Sequence, residues 1–116
     1  MKLIYVIGPY RSPTEHGVSE NIRRAEAVAA EVWKMGAACI CPHKNTAFMG
    51  GVVDDKVFLQ GDLKIMARCD AVVTVDGWEA SEGSCGEVDA AVEWGITVFH
   101  GIESLKKWLG ALGDKE

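Results

Sequence analysis

No stretch of this 116-residue chain approaches the ~20 consecutive apolar residues that a membrane-spanning helix requires. The apolar opening, Leu3 to Ile7, is too short for the core of a secretory signal and has no cleavage-like continuation. Basic residues are outnumbered by acidic ones, 12 to 17, for a formal net charge of −5. That balance argues against a nucleic-acid-binding face, although a local site for a small anion can oppose the global sign. The four cysteines, Cys39, Cys41, Cys69 and Cys85, form no CxxC pair and no Cys/His grouping with zinc spacing, so no metal site is expected. Cys39 and Cys41 fall in an apolar run and act there as small hydrophobes. Free thiols fit a reducing, cytoplasmic setting. Neither GxGxxG nor GxxxxGK[ST] occurs, which weakens any dinucleotide or P-loop reading. No internal repeat or low-complexity tract is present.

What remains is an ordinary globular composition, 48% hydrophobic and 25% charged, sized for one domain over residues 1–116. Strand-like and helix-like segments alternate. Lys2–Ile7 is a β-rich run that ends at Gly8-Pro9. Ser19–Met35 has apolar residues three or four apart (Ile22, Ala25, Val28, Ala29, Val32, Trp33), which predicts an amphipathic helix with Ser19 as N-cap and Gly36 at C′. Ala37–Cys41 reads as a second strand stopped by Pro42, and His43–Asp54 as a loop. Asp55–Arg68 is a second helix with a possible break at Gly61, and Ala71–Val75 a third strand. The loop Asp76–Gly83 then leads to a helix from about Cys85 to Trp94. Ile96–Phe99 is a fourth strand and Ile102–Leu112 a closing helix, with the last few residues expected to fray. Trp33, Trp94 and Trp108 fall on helical patterns as core or interface residues.

Short, continuously apolar strands separated by helices are the pattern of a parallel sheet covered on both faces. The expected fold is a Rossmann-like or flavodoxin-like three-layer sandwich, with four or five parallel strands and the first beside the third. In such sheets ligands bind beyond the carboxyl ends of the strands. That rule selects Gly8–Arg11, Pro42–Asn45 and Asp76–Glu87.

Within these segments Gly8 permits close backbone approach, Tyr10 could line a sugar or base pocket, and Arg11 could face a phosphate. His43 and Asn45 lie at the same edge, though a single histidine is more often structural. Trp78 shares its loop with Ser81. Glu87 is placed on the first turn of the following helix, where partial positive charge favours an anion. Ser84-x-x-Glu87 also has capping-box spacing, in which the carboxylate would reach back to its own backbone. On pattern alone Asp62 reads first as a helix N-cap or a solvated helical charge, and Asp70 as structural. His16 and His100 carry no signal.

Taken together, Ile7-Gly8-Pro9-Tyr10, Asp62-Leu63 followed by Cys69-Asp70-Ala71-Val72-Val73, and Ser81-x-Gly83-x-x-x-Glu87 resemble the nucleoside 2-deoxyribosyltransferase-like superfamily, which includes the 2′-deoxynucleoside 5′-phosphate N-hydrolases. The resemblance covers roughly Lys2 to Phe99. It implies that Glu87 is the nucleophile toward the anomeric carbon and that Asp62 helps the base leave. Its transferases carry an aspartate six residues before the glutamate, whereas its nucleotide hydrolases carry a serine that contacts the 5′-phosphate. Ser81 stands at that position and tilts the reading toward N-hydrolysis of a nucleoside 5′-monophosphate.

The resemblance also implies a small-molecule nucleoside or nucleotide as partner, no cofactor, and a homodimer or larger homo-oligomer whose neighbour completes the site. Glycosidase chemistry would bring the two carboxyls to about 5 Å from one another, and the segment 44–54 would close over the ligand. Three rivals stand beside this reading: base exchange between nucleosides, a nucleotide-binding module without catalysis, and a structural domain on a borrowed fold.

Overall fold

The computed structural model describes residues 1–113. The four apolar runs form four strands: β1 Leu3–Ile7, β2 Ala38–Ile40, β3 Ala71–Thr74 and β4 Thr97–His100. All pair in parallel in the order β2-β1-β3-β4, so the first strand lies beside the third and both are central. The register is set by pairs such as Ile4 with Cys39, Ile4 with Ala71, and Val73 with Phe99. No helix among the described residues is long and apolar enough to cross a membrane.

Alternation along the central strands sends side chains to two cores. Ile4, Val6, Ala71 and Val73 pack with Ala25, Ala29 and Val32 of α1 (Glu15–Lys34) and Leu105 of α5 (Ile102–Gly113). Tyr5, Ile7 and Val72 pack on the other face with Met66 of α3 (Asp55–Met66) and Val88 and Ala91 of α4 (Glu82–Glu93). Each fully buried Ile or Val contributes roughly 1.5–3 kcal/mol, so neither face can be left uncovered. Cys39 is buried in the α1 face, and burial pushes its thiol up to about 12. Asp70 is structural: its carboxylate accepts the Leu3 N–H at 2.8 Å, joining the starts of β1 and β3. Gly8 follows β1 where a Cβ would lie 2.8 Å from the Val75 side chain, so a larger residue would force Val75 to shift.

Several expected boundaries move. Helix α1 begins at Glu15, four residues before Ser19, because Thr14 is the cap and accepts the Gly17 N–H. Gly36, at φ +84°, does end that helix as expected. Pro42 opens a short helix, α2 (Pro42–Asn45), inside the expected loop, as its missing N–H allows at a helix start. Gly61 does not break α3, whose N-cap is Asp54. Trp33 and Trp94 are 57% and 47% exposed and belong to neither core formed by the described residues, whereas Trp108 packs its ring on Phe99. The expected fraying at the end of the chain lies outside the described residues.

Candidate active site

The two carboxylates singled out in the sequence come from helices on the same side of the sheet. Asp62 lies in α3 and Glu87 in α4, both partly exposed above the core that contains Tyr5. Glu87 is not on the first turn. Ser81, rather than Ser84, caps α4 and accepts the Ser84 N–H at 3.2 Å, so the helix starts at Glu82 and Glu87 falls on its second turn. The capping-box arrangement is therefore absent. Ser84 is 1% exposed, and its hydroxyl finds no hydrogen-bond partner among the described residues.

Instead of reaching back to its own helix, the Glu87 carboxylate accepts the Tyr5 hydroxyl at 2.5 Å. Tyr5 is a residue that the sequence reading missed. It sits in an apolar strand and counts there as apolar, but a buried phenol needs a partner for its hydroxyl, and that requirement was the available signal.

The electrostatics follow from the position. Burial pushes the Glu87 carboxyl up to about 7, against the Tyr5 hydrogen bond, which lowers it, and with repulsion from Asp62, which raises it further. A helix start does not hold Glu87 ionised, because the dipole's influence fades beyond the first turn. Burial also raises Asp62. Tyr5 is held far above the usual phenol range, first by burial and then by the Glu87 charge, so it stays a donor. One side chain can thus present an oxygen nucleophile while the other carries or relays a proton.

A testable consequence concerns Tyr5. Tyr5→Phe removes a hydrogen bond that favours the Glu87 carboxylate. If ionised Glu87 is the working form, the acidic limb of the wild-type kcat/KM profile lies near pH 7, and in Y5F it should move to higher pH. A limb that stays in place would show that Tyr5 does not tune Glu87.

The loop after β1 forms a second group. His43 of α2 is buried, and its Nε2 donates to the Pro9 carbonyl at 2.8 Å, with the Tyr10 ring edge-on to the imidazole at 5.4 Å between centroids. Burial lowers the His43 pKa, against backbone contacts with Pro9 and Gly8 that raise it. Asn21 of α1, also missed in the sequence, donates to the carbonyls of Tyr10 and Arg11. The Arg11 guanidinium pairs with Asp55 at the start of α3, 3.6 Å away, with both groups exposed.

After β3, Trp78 lies in a 3-10 turn (Trp78–Ala80) and stacks on His100 at 5.0 Å, while His100 meets the Thr74 hydroxyl at 3.2 Å. His100 thus has a structural role that its sequence context did not announce. Gly83 is exposed on the first turn of α4, and among the described residues beyond its own helix turn nothing lies within 4 Å of where a Cβ would stand. Asn45 is not brought to the carboxylates. It lines a groove of about 460 Å³ with Trp33, Cys39 and Cys41, between α1 and the β2 edge. A second groove, about 340 Å³, is bordered by Arg24, Thr74, Asp76 and Gly101. Neither groove is lined by Glu87 or Asp62. The segment 46–54 exposes Phe48, Met49, Val52 and Val53, with Phe48 at φ 64°.

The comparisons with known proteins agree with this architecture. A 2-deoxyribosyltransferase from the psychrotolerant bacterium Bacillus psychrosaccharolyticus superimposes with a TM-score of 0.64 at 17% identity, over 83% of this chain and 69% of that one. A conserved protein from Enterococcus faecalis V583 superimposes with a TM-score of 0.67 at 22% identity, over 84% of this chain and 61% of that one. At these identities the likeness is one of fold. No curated protein matches the sequence. The model of one family, described as a domain of unknown function, DUF7768, matches residues 2–100, and the chain belongs to that family.

Proposed function

We propose that this member of the DUF7768 family cleaves the N-glycosidic bond of a (deoxy)nucleoside 5′-monophosphate, with Glu87 as nucleophile and Asp62 assisting the departing base. The observation that carries the reading is the Tyr5–Glu87 hydrogen bond. It directs the glutamate away from its own backbone, on the side of the sheet that also bears Asp62. In the reaction the C1′–N bond breaks and its electron pair goes to the base, which takes up a proton that Asp62, a carboxylate in the free enzyme, gains from solvent as the bound ligand desolvates it further. The Glu87 carboxylate forms a bond to C1′ and traps the oxocarbenium-like centre. Water then attacks C1′, gives its proton to the Asp62 carboxylate, and releases the sugar phosphate with Glu87 restored.

Ser81 supports the choice of a phosphorylated substrate. Its oxygen accepts the Ser84 N–H, which leaves its own proton to donate. It stands with exposed Gly83 at the positive end of α4, a place suited to an anion. Tyr10, His43 and Trp78 are the candidates for sugar and base contact, and residues 44–54 for a cover over the ligand. Asn45 is offered for contact only if that segment moves.

The experiment is turnover on a panel of nucleosides and their 5′-monophosphates, read as released base. The reading expects monophosphates to be cleaved in preference. Release from none of the panel would defeat it. The fold likeness to a 2-deoxyribosyltransferase favours base exchange as a second reading. Incubation with a second free base separates the two, since exchange yields a nucleoside or nucleotide of the new base and hydrolysis yields the free sugar or sugar phosphate.

A further inference from the structure

We infer that Asn21 is a positioning residue that sets the backbone of the loop after β1, a role that rests on the glycosidase reading above. Asn21 lies on α1, is 8% exposed, and has both ends of its amide engaged. Its Nδ2 donates to the carbonyl of Tyr10 at 3.1 Å and to that of Arg11 at 3.4 Å. Its Oδ1 accepts from the Arg24 guanidinium at 2.5 Å.

These partners fix which way the amide faces. Carbonyls only accept and a guanidinium only donates. Turning the amide over would set oxygen against two carbonyls and NH2 against a cation. Arg24 therefore locks the orientation in which Asn21 can hold the loop. With His43 on Pro9, three successive loop carbonyls are held by side chains from two helices.

The effect falls on the peptides from which the Tyr10 and Arg11 side chains depart. Both side chains are exposed, so their directions depend on the backbone beneath them. A preformed loop spares the ligand the entropy of ordering it. Loss of the clamp should therefore weaken substrate capture more than it slows the chemistry at Glu87, which sits on another element.

The test compares wild type, Asn21→Ala and Arg24→Met on the monophosphate that the wild type cleaves fastest, with amide hydrogen exchange of residues 8–12 as an activity-independent readout. Asn21→Ala removes both donated bonds and should raise KM about tenfold with kcat within about twofold. Exchange in the loop should rise at the same time. Arg24→Met changes an exposed residue and only releases the lock, so it should raise KM about threefold at an unchanged Tm. It decides the matter if Asn21→Ala does not fold. Wild-type turnover with KM and loop exchange unaltered in Arg24→Met and in any folded Asn21→Ala overturns the assignment to Asn21 alone. A fall in kcat in step with Tm, at constant KM, overturns it too. A wild type that releases no base overturns the glycosidase reading itself and, with it, the substrate given to this loop.

Discussion

Glu87→Gln should leave a folded protein whose kcat is lower by roughly 10³–10⁴-fold, the scale of loss when a covalent nucleophile is removed. The substitution is nearly isosteric, and the amide oxygen can still accept the Tyr5 hydroxyl, so substrate binding should survive. Stability should move in the opposite direction to activity. In the folded chain the Glu87 carboxyl is raised to about 7 from its ordinary 4.5. The native state therefore binds more protons than the unfolded state between those values, and wild-type stability falls as pH rises through that window. Glutamine has no proton to lose. The Tm of E87Q relative to wild type should increase from pH 5 to pH 8. Full activity in E87Q would remove the nucleophile from the scheme, and a pH-independent Tm difference would remove the buried charge.

Asp62→Asn should produce two effects of opposite kind. Without a group to supply the departing base with a proton, kcat should fall by about 10²–10³-fold, within the usual range for general acid catalysis. The loss should be smaller for bases that leave readily without protonation. In the free enzyme, whose ionisations kcat/KM reports, Asp62 is a carboxylate that raises Glu87, and the same change removes that like charge. The glutamate should then ionise more easily, and the acidic limb of kcat/KM should shift to lower pH. Y5F is expected to shift that limb the other way. A pair of opposed shifts around one titrating group is difficult to obtain from general damage to the fold. If D62N kept its kcat, or moved the limb upward, Asp62 would be a bystander.

The sheet was legible because its strands are continuous apolar runs closed by glycine or proline, and period alone set them apart from the helices. The caps were harder to read. Serine or threonine precedes an acid at both Thr14-Glu15 and Ser19-Glu20, and Gly17 lies between the two pairs as a poor helix former. The structure shows why glycine is there: a Cβ would lie 1.9 Å from the Ser12 hydroxyl. Likewise Ser81 and Ser84 both fit a helix start, and the choice fell on Ser81 because Ser84 is buried by the packing of α4.

For the site, Glu87, Asp62 and the loop after β1 could be named from spacing and resemblance, whereas Tyr5 and Asn21 could not. Each is a polar group on an apolar stripe. Tyr5 is hidden by its own hydrophobicity. Asn21 stands four residues before Ala25 on the buried side of α1, where a polar residue was a readable sign of a partner. Their partners lie across the fold or in a neighbouring loop, and contacts of that kind leave no period in a sequence.

The central claim is that the Glu87 carboxylate bonds to the sugar. The most direct measurement is intact-protein mass spectrometry, followed by peptide mapping, after incubation with a 2′-fluoro-substituted arabinosyl nucleoside 5′-monophosphate, whose fluorine slows release of the glycosyl group. The account predicts a mass increase of one sugar phosphate, located on the peptide that contains Glu87 and absent in E87Q. Base release by the wild type with no adduct on that peptide, or an adduct that persists in E87Q, would contradict it.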